Sequence, residues 1–330
     1  YQSSKRGYVM KLPVNLENIK NAYSRIKPFV HHTPLLRGEK IDEIINCQVH
    51  LKPECLQVTG SFKIRGATNK ILSLTEEEKV KGIIASSSGN HAQGVAHAAR
   101  SLSIKATLVL PENAPLTKIE GTRALGAEVI LHGFDSIQRY KKLYEIVDEK
   151  GYTVVHSYDD PTLIAGQGTV GYEVMQDIND LDAIVVPLGG GGLLAGIAVA
   201  VKEMNPKIKV IGVEPEAIPR YSESRRLGKP VEVPMKDTVA DGLMITKTGV
   251  NTYPIIEQYV DEVVAVNDEF IYKAIPEIIF KTKLLVEPSA AIAIAAALSG
   301  KLKYERNQKV CFVLSGGNVD HKKLREFIDL

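Results

Sequence analysis

The run from Ala183 to Val201, AIVVPLGGGGLLAGIAVAV, has no charged residue and is long enough to cross a bilayer as a helix. Its internal order argues against that. Pro187 and four consecutive glycines, Gly189 to Gly192, fall in its first half, where a lost N–H donor and unrestrained backbone break a helix. Strand, turn and helix is the parse that remains, and no membrane span is expected. A buried strand feeding a buried helix through a tight turn is half of a βαβ unit.

The same alternation runs along the chain. Short β-branched or apolar stretches at 82–87, 105–111, 127–133, 153–157, 183–189, 209–215 and 310–317 have the character of buried strands. Helical stretches such as HAQGVAHAARSL, PLTKIEGTRALG and DSIQRYKKLYEIVDEKG lie between them. This order predicts an α/β fold with a parallel sheet and right-handed crossovers. At 330 residues the chain suits about two domains or one large α/β unit. The polar, turn-rich segment 225–249 predicts a long surface connection. In open sheets of this kind, ligands bind beyond the carboxyl ends of the strands, so the loops there carry the functional question.

Composition removes several classes of partner. A net charge of +2 with 24% charged residues favours neither nucleic acid nor an acidic membrane surface. Three cysteines without a CxxC spacing point to reduced thiols in the cytosol, not to a disulfide frame or zinc site. The start of the chain lacks a basic-then-apolar signal pattern, which agrees with a cytoplasmic protein. Met10 is the expected native start, and residues 1–9 are left out of the fold argument.

Lys63 sits in VTGSFKIRGA, between Phe62 and Ile64. It is either a snorkelling lysine or an amine kept for Schiff-base chemistry. Three glycine-bearing loops bear on the choice. Ser86 to His91, between a strand and a helix, offers hydroxyls, an amide and free N–H groups to an anion, or simply caps the helix. Gly189 to Leu193 lets the backbone approach a ligand and turn successive N–H groups toward a phosphate. That loop also matches a loose dinucleotide fingerprint, with Gly190, Gly192 and Ala195 as GxGxxA and Glu214 about 24 residues beyond. A nicotinamide-dependent oxidoreductase is therefore a competing reading, though one that leaves Lys63 and the other loops without a role. Ser315-Gly316-Gly317-Asn318 closes a strand with a hydroxyl. An amine, a phosphate loop, an anion loop and a strand-end hydroxyl are together the parts that pyridoxal phosphate chemistry needs.

The stretches GSFKIRGA, SSGNHAQG, HSYDD…AGQGT, GGGGLLAG, EPSAA and SGGN occur in the order seen in fold-type II pyridoxal phosphate enzymes. Over almost its whole length the chain resembles the threonine/serine dehydratase and serine racemase family. The resemblance implies a tryptophan synthase β-like fold, with two open, mostly parallel, twisted sheets flanked by helices. It implies a large cofactor domain from residues 1–67 and 157–330, a small domain from 68–156 inserted in it, and a homodimer or dimer of dimers. It also implies roles residue by residue. Lys63 would hold pyridoxal 5'-phosphate and move the α-proton of a small amino-acid substrate. Phe62 and Gly242 would flank the pyridine ring, Asn90 would bond its hydroxyl, and Ser315 would face its nitrogen. Gly189, Gly190, Gly191, Gly192 and Leu193 would cradle the phosphate. Ser87, Ser88, Asn90 and His91, with backbone N–H groups of their loop, would seat the substrate carboxylate.

A serine at the ring nitrogen, unlike a carboxylate, does not stabilise the protonated ring. The electron sink is then weaker, and a carbanion with a β-hydroxyl expels it. The expected activity is thus L-threonine/L-serine ammonia-lyase, giving 2-oxobutanoate or pyruvate and ammonia. Serine racemase with side dehydratase activity is the alternative, and 3-hydroxyaspartate ammonia-lyase a further one. Ser88 matches the second acid/base of serine racemases, or is a plain loop hydroxyl. Against racemisation, Glu214 matches one ligand of the divalent-metal site found in eukaryotic serine racemases, but Arg220 stands where that site has an aspartate. With the sequence ending at Leu330, the expectation is a catabolic, non-allosteric type of dehydratase.

Overall fold

The structure, a computed structural model, describes residues 11–87 and 89–328. Ser88 and its expected acid/base role lie outside the described residues. The strands are β1 (Leu36–Arg37), β2 (Gln48–Pro53), β3 (Ile83–Ser86), β4 (Ala106–Leu110), β5 (Glu128–Leu131), β6 (Thr153–Val154), β7 (Ala183–Pro187), β8 (Lys209–Pro215), β9 (Glu262–Val266) and β10 (Lys309–Leu314). One sheet has the order β1-β2-β10-β7-β8-β9, the other β5-β4-β3-β6. All pairs are parallel except β1 with β2. This is the expected α/β fold with two mostly parallel sheets flanked by helices.

Each expected apolar run holds a strand, but β1, β2 and β9 are additions that the sequence pattern does not predict. β1 is two residues long, too short to leave a pattern. β2, QVHLKP, carries the fully buried Lys52, which gives a central strand a polar spelling. β9 is an edge strand set between the acids of VDEVVAVNDE. The segment 225–249 is not only a surface connection. It begins inside the helix Arg220–Leu227 and pairs Glu232 with Lys247. After a single turn at Asp241–Leu243 it contributes one wall of the main cavity.

The large sheet is covered on both faces, so its strands read as continuous apolar runs. One face packs on the helices Asp268–Thr282 and Pro288–Leu298. The other packs on Leu16–Ile26, Pro161–Asp177 and Gly192–Met204. The small sheet shares a core with the helices Lys63–Leu72 and Asn90–Ser101.

Helix crossings at glycine bring these elements unusually close. A Cβ on Gly196 would come within 2.5 Å of Gly168 N and Ile164 O. One on Gly166 would come within 2.7 Å of Gly66 Cα, and one on Gly94 within 3.1 Å of the Lys63 carbonyl carbon. The helix that begins at Lys63 is therefore in backbone contact with two neighbours, and through Pro161–Asp177 it is tied to the helix behind the glycine loop.

A buried charge cluster fixes the same helix from below. The Arg65 guanidinium donates to Glu54 at 2.8 Å through Nε and Nη2, and to Glu173 at 2.7 and 2.8 Å through Nη1 and Nη2. Lys52 Nζ donates to Glu173 at 2.7 Å and to Thr33 O at 2.6 Å. Two cations and two anions balance, and all four side chains are at most 1% exposed. Buried charges persist only when paired and hydrogen-bonded in this way.

Candidate active site

Between the carboxyl ends of the two sheets lies a cavity of about 740 Å³. Its lining includes Phe62, Lys63, Ser87, Asn90, His91, Gly189 to Leu193, Gly242 and Ser315. Every expected site residue except Ser88 and Glu214 is thus brought together. A second depression of about 790 Å³, lined by Arg37, Asp42, Cys47 and Arg306 among others, holds none of these groups.

Lys63 opens its helix directly after the turn at Gly60 (φ +72°) and the bridge between Ser61 and Gly316. Its Nζ donates to Ser157 O at 2.6 Å and lies 5.3 Å from the centre of the Phe62 ring. Desolvation pushes the amine down to about 8, against the opposing pull of the Glu287 carboxylate. A neutral amine, the form that attacks a carbonyl and accepts a proton, is therefore within reach near neutral pH.

Glu287 is the main site group that sequence reasoning does not reveal. It stands in EPSAA, where an acid before a proline at the head of an apolar helix looks like an ordinary first-turn residue. Here it is 7% exposed and accepts a 2.7 Å bond from Asn90 Nδ2. Burial pushes its carboxyl up to about 8, helped by Asp241 and opposed by the Asn90 bond and by Lys118 and Lys63. Asn90 is held from its other end, since its Oδ1 accepts from Asn318 Nδ2 at 2.8 Å. Gly242 N donates to Ser289 Oγ at 2.9 Å, and Phe62 N to Ser315 O at 3.1 Å.

The anion loop is open on its hydroxyl side. Ser87 Oγ accepts from Gly89 N at 3.2 Å. His91 lines the cavity. It is buried and its Nε2 lies 2.9 Å from Val155 O, so Nε2 carries the proton and donates. Burial first and then Lys63 push its ring down to about 3, which keeps it neutral.

The glycine loop leads into the helix Gly192–Met204, which is apolar on all sides and buried along its first ten residues. Gly191 has φ +96°, and a Cβ on Gly190 would fall 2.1 Å from the Tyr158 ring. Among the described residues, the N–H groups of Gly189 to Leu193 have no protein acceptor. An amine of lowered pKa, a cradle that a single Cβ would fill and a row of free N–H groups at a helix start fit a phosphorylated aldehyde. Glu214 does not fit a metal. Its oxygens accept from Tyr221 N at 3.0 Å, from Ser222 N at 2.8 Å and from Ser222 Oγ at 2.7 Å, and the Arg220 guanidinium stands 3.8 Å away.

Residues 26–316 match the model of the family described as "Pyridoxal-phosphate dependent enzyme". An L-threonine ammonia-lyase of Thermotoga maritima is 46% identical over 316 residues, which are 96% of this chain and 78% of that one. A catabolic L-threonine dehydratase of Staphylococcus aureus is 43% identical over 319 residues, 96% of this chain and 92% of that one. The structure of maize serine racemase superposes with a TM-score of 0.92 at 37% identity, over 95% of this chain and 96% of that one. The chain belongs to the pyridoxal-phosphate-dependent enzyme family, and its cofactor is pyridoxal 5'-phosphate.

Proposed function

We propose that the chain is an L-threonine/L-serine ammonia-lyase, converting a small β-hydroxy amino acid to 2-oxobutanoate or pyruvate and ammonia. The observation that carries this reading is the 46% identity to an L-threonine ammonia-lyase over 96% of the chain, joined to a desolvated Lys63 amine in the shared cavity. Bound cofactor supplies an electron sink conjugated to the substrate α-carbon. The protein supplies the rest. Lys63 would hold the cofactor aldehyde, and its amine, pushed down to about 8 by desolvation, would be the base for the substrate α-proton. The Ser87 hydroxyl and the N–H groups of its loop seat the substrate carboxylate. Phe62 and Gly242 would flank the ring, Asn90 would bond its hydroxyl, Ser315 would face its nitrogen, and Gly189 to Leu193 would hold the phosphate. Asn90 is itself oriented by Glu287. The proton that Lys63 takes could pass to the departing β-hydroxyl, which would leave as water, and hydrolysis by one water would then give keto acid and ammonia.

Three coarser readings accompany it. The two sheets support a large unit of residues 1–67 and 157–330 and a small unit of 68–156. The three cysteines form no disulfide, which suits the cytosol. Leu56, Phe280 and Leu285 are large apolar residues left exposed, which suits a homodimer or dimer of dimers and is checked by sedimentation.

Serine racemase is the second reading, favoured by the superposition on the maize enzyme. The deciding assay follows keto acid and D-serine together from L-threonine and L-serine. Keto acid without D-serine supports the lyase. D-serine at a rate comparable with pyruvate, lost in Ser88→Ala, makes the chain a racemase.

A further inference from the structure

Four glycines in a row give a loop almost no preferred conformation of its own, yet an anion seat needs N–H groups that point one way. The structure shows what turns them. Arg220, 0% exposed, donates from Nη2 to Leu188 O at 2.5 Å. It also reaches Gly189 O at 2.5 and 3.0 Å through Nη2 and Nε, and Ile218 O at 2.8 Å through Nη1. The hydroxyls of Tyr221 and Thr252 lie 2.8 Å apart and each 3.0 Å from Gly190 O, so that one donates to the carbonyl and the other to its neighbour.

Three successive carbonyls, of residues 188, 189 and 190, are thus drawn to one side. In a planar trans peptide the N–H of the next residue points the opposite way from the carbonyl. Fixing these three carbonyls therefore aims the N–H groups of Gly189, Gly190 and Gly191 away from Arg220, and these are among the N–H groups that have no protein acceptor among the described residues. Arg220 and Tyr221 are in turn set by Glu214, which ends in bonds to the first turn of the helix Arg220–Leu227.

We propose that Arg220 and Tyr221 are positioning residues for the cofactor phosphate. They hold the carbonyls of residues 188–190 from behind and so present a fixed row of N–H groups, with the guanidinium adding a permanent positive charge behind that row. The proposal rests on the reading of Gly189 to Leu193 as the phosphate cradle.

The test measures binding to the apoprotein rather than turnover. Dissociation constants for pyridoxal 5'-phosphate and for pyridoxal, which lacks the phosphate, are compared in wild type, Tyr221→Phe, Tyr221→Phe/Thr252→Val and Arg220→Lys. The ³¹P resonance of bound cofactor is recorded alongside. Tyr221→Phe should weaken pyridoxal 5'-phosphate by about 3- to 10-fold. The double variant, which leaves Gly190 O without a donor, and Arg220→Lys should each weaken it by more than about 10-fold. Pyridoxal should stay within about twofold throughout, and the ³¹P signal should shift. Equal weakening of both ligands, or none for pyridoxal 5'-phosphate, overturns the proposal. Failure of the underlying reading is distinct: wild type would then bind both ligands alike, and inorganic phosphate would not compete. Should Arg220→Lys fail to fold, Tyr221→Phe, which loses one oxygen atom, decides.

Discussion

Glu54→Gln removes one negative charge from a cluster whose four charges balance, and leaves its shape almost unchanged. In the native protein Arg65 spends two hydrogen bonds on Glu54 and two on Glu173, while Lys52 has Glu173 as its one bonded carboxylate, beside Thr33 O. After the change, two buried cations share one carboxylate with no water to solvate the excess. Removing one partner of such a pair costs about 3–5 kcal/mol. With an unfolding entropy of about 2.1 cal/mol/K per residue, or roughly 0.7 kcal/mol/K over the chain, that predicts a Tm lower by about 4–7 °C.

Calorimetry of the holoenzyme at pH 7 gives the first number. Glu54→Gln/Arg65→Met supplies the control, because deleting both charges restores balance and should cost less than the two single changes added together. A pH series supplies a second. Burial pushes the Glu54 carboxyl up, but Arg65, its hydrogen bonds and Lys52 more than offset this and hold it below the usual range. A depressed carboxylate stabilises the fold above about pH 4.5, and that stabilisation is lost as pH falls through the lowered value. The difference in Tm between wild type and variant should therefore shrink in acid. A Tm within about 1 °C of wild type at pH 7, or strict additivity in the double variant, would refute the reasoning.

Lys63→Ala should abolish both keto-acid production and the visible absorbance of protein-bound cofactor, because Lys63 is the cavity lysine whose amine desolvation pushes down to about 8; retention of the absorbance would move the assignment to Lys118 or Lys247, which also line the cavity. In wild-type apoprotein, the rate of capture of pyridoxal 5'-phosphate should rise with pH through about 8, as the Lys63 amine loses its proton. A midpoint near the ordinary lysine value, read by stopped-flow absorbance, would contradict the desolvation argument. Gly190→Ala should leave the far-ultraviolet circular dichroism unchanged but weaken cofactor binding by about 10-fold or more, with partial recovery in Gly190→Ala/Tyr158→Ala, since its Cβ would fall 2.1 Å from the Tyr158 ring.

The site is legible in the sequence wherever a local pattern carries it. A glycine run between a buried strand and a buried helix, hydroxyls ahead of another helix, and a lysine among apolar neighbours are all visible within ten residues. What escapes depends on distant partners. Lys52 looks like a surface residue until Glu173, 121 residues away, makes its burial tolerable, and β2 is hidden with it. From the sequence, Arg220 is only a charge opposed to a metal beside Glu214. Its bonds to Leu188 and Gly189 depend on the return of β8 alongside β7, which no local spacing reveals. Glu287 lies in a motif that gives it no role of its own, because its raised pKa comes from burial and from Asp241, and its bond from Asn90, both partners distant in sequence.

The glycine crossings that lock the Lys63 helix to its neighbours divide the cavity into parts with different freedom to vary. The amine and the glycine loop share one frame, in which even a methyl group at Gly166 or Gly196 would collide with backbone. The wall with Glu232, Met235 and Met244 to Thr246 belongs to a segment tied to the core at Thr238 and Val239, which bond Asp268, and at Gly242, which bonds Ser289, while its outer part is held by the strand-like pair of Glu232 with Lys247. Substrate preference can therefore drift through substitutions in that wall while the reacting atoms keep their separation. A mutational library aimed at new β-substituents belongs there, and the small residues at the crossings should stay fixed in every member of it.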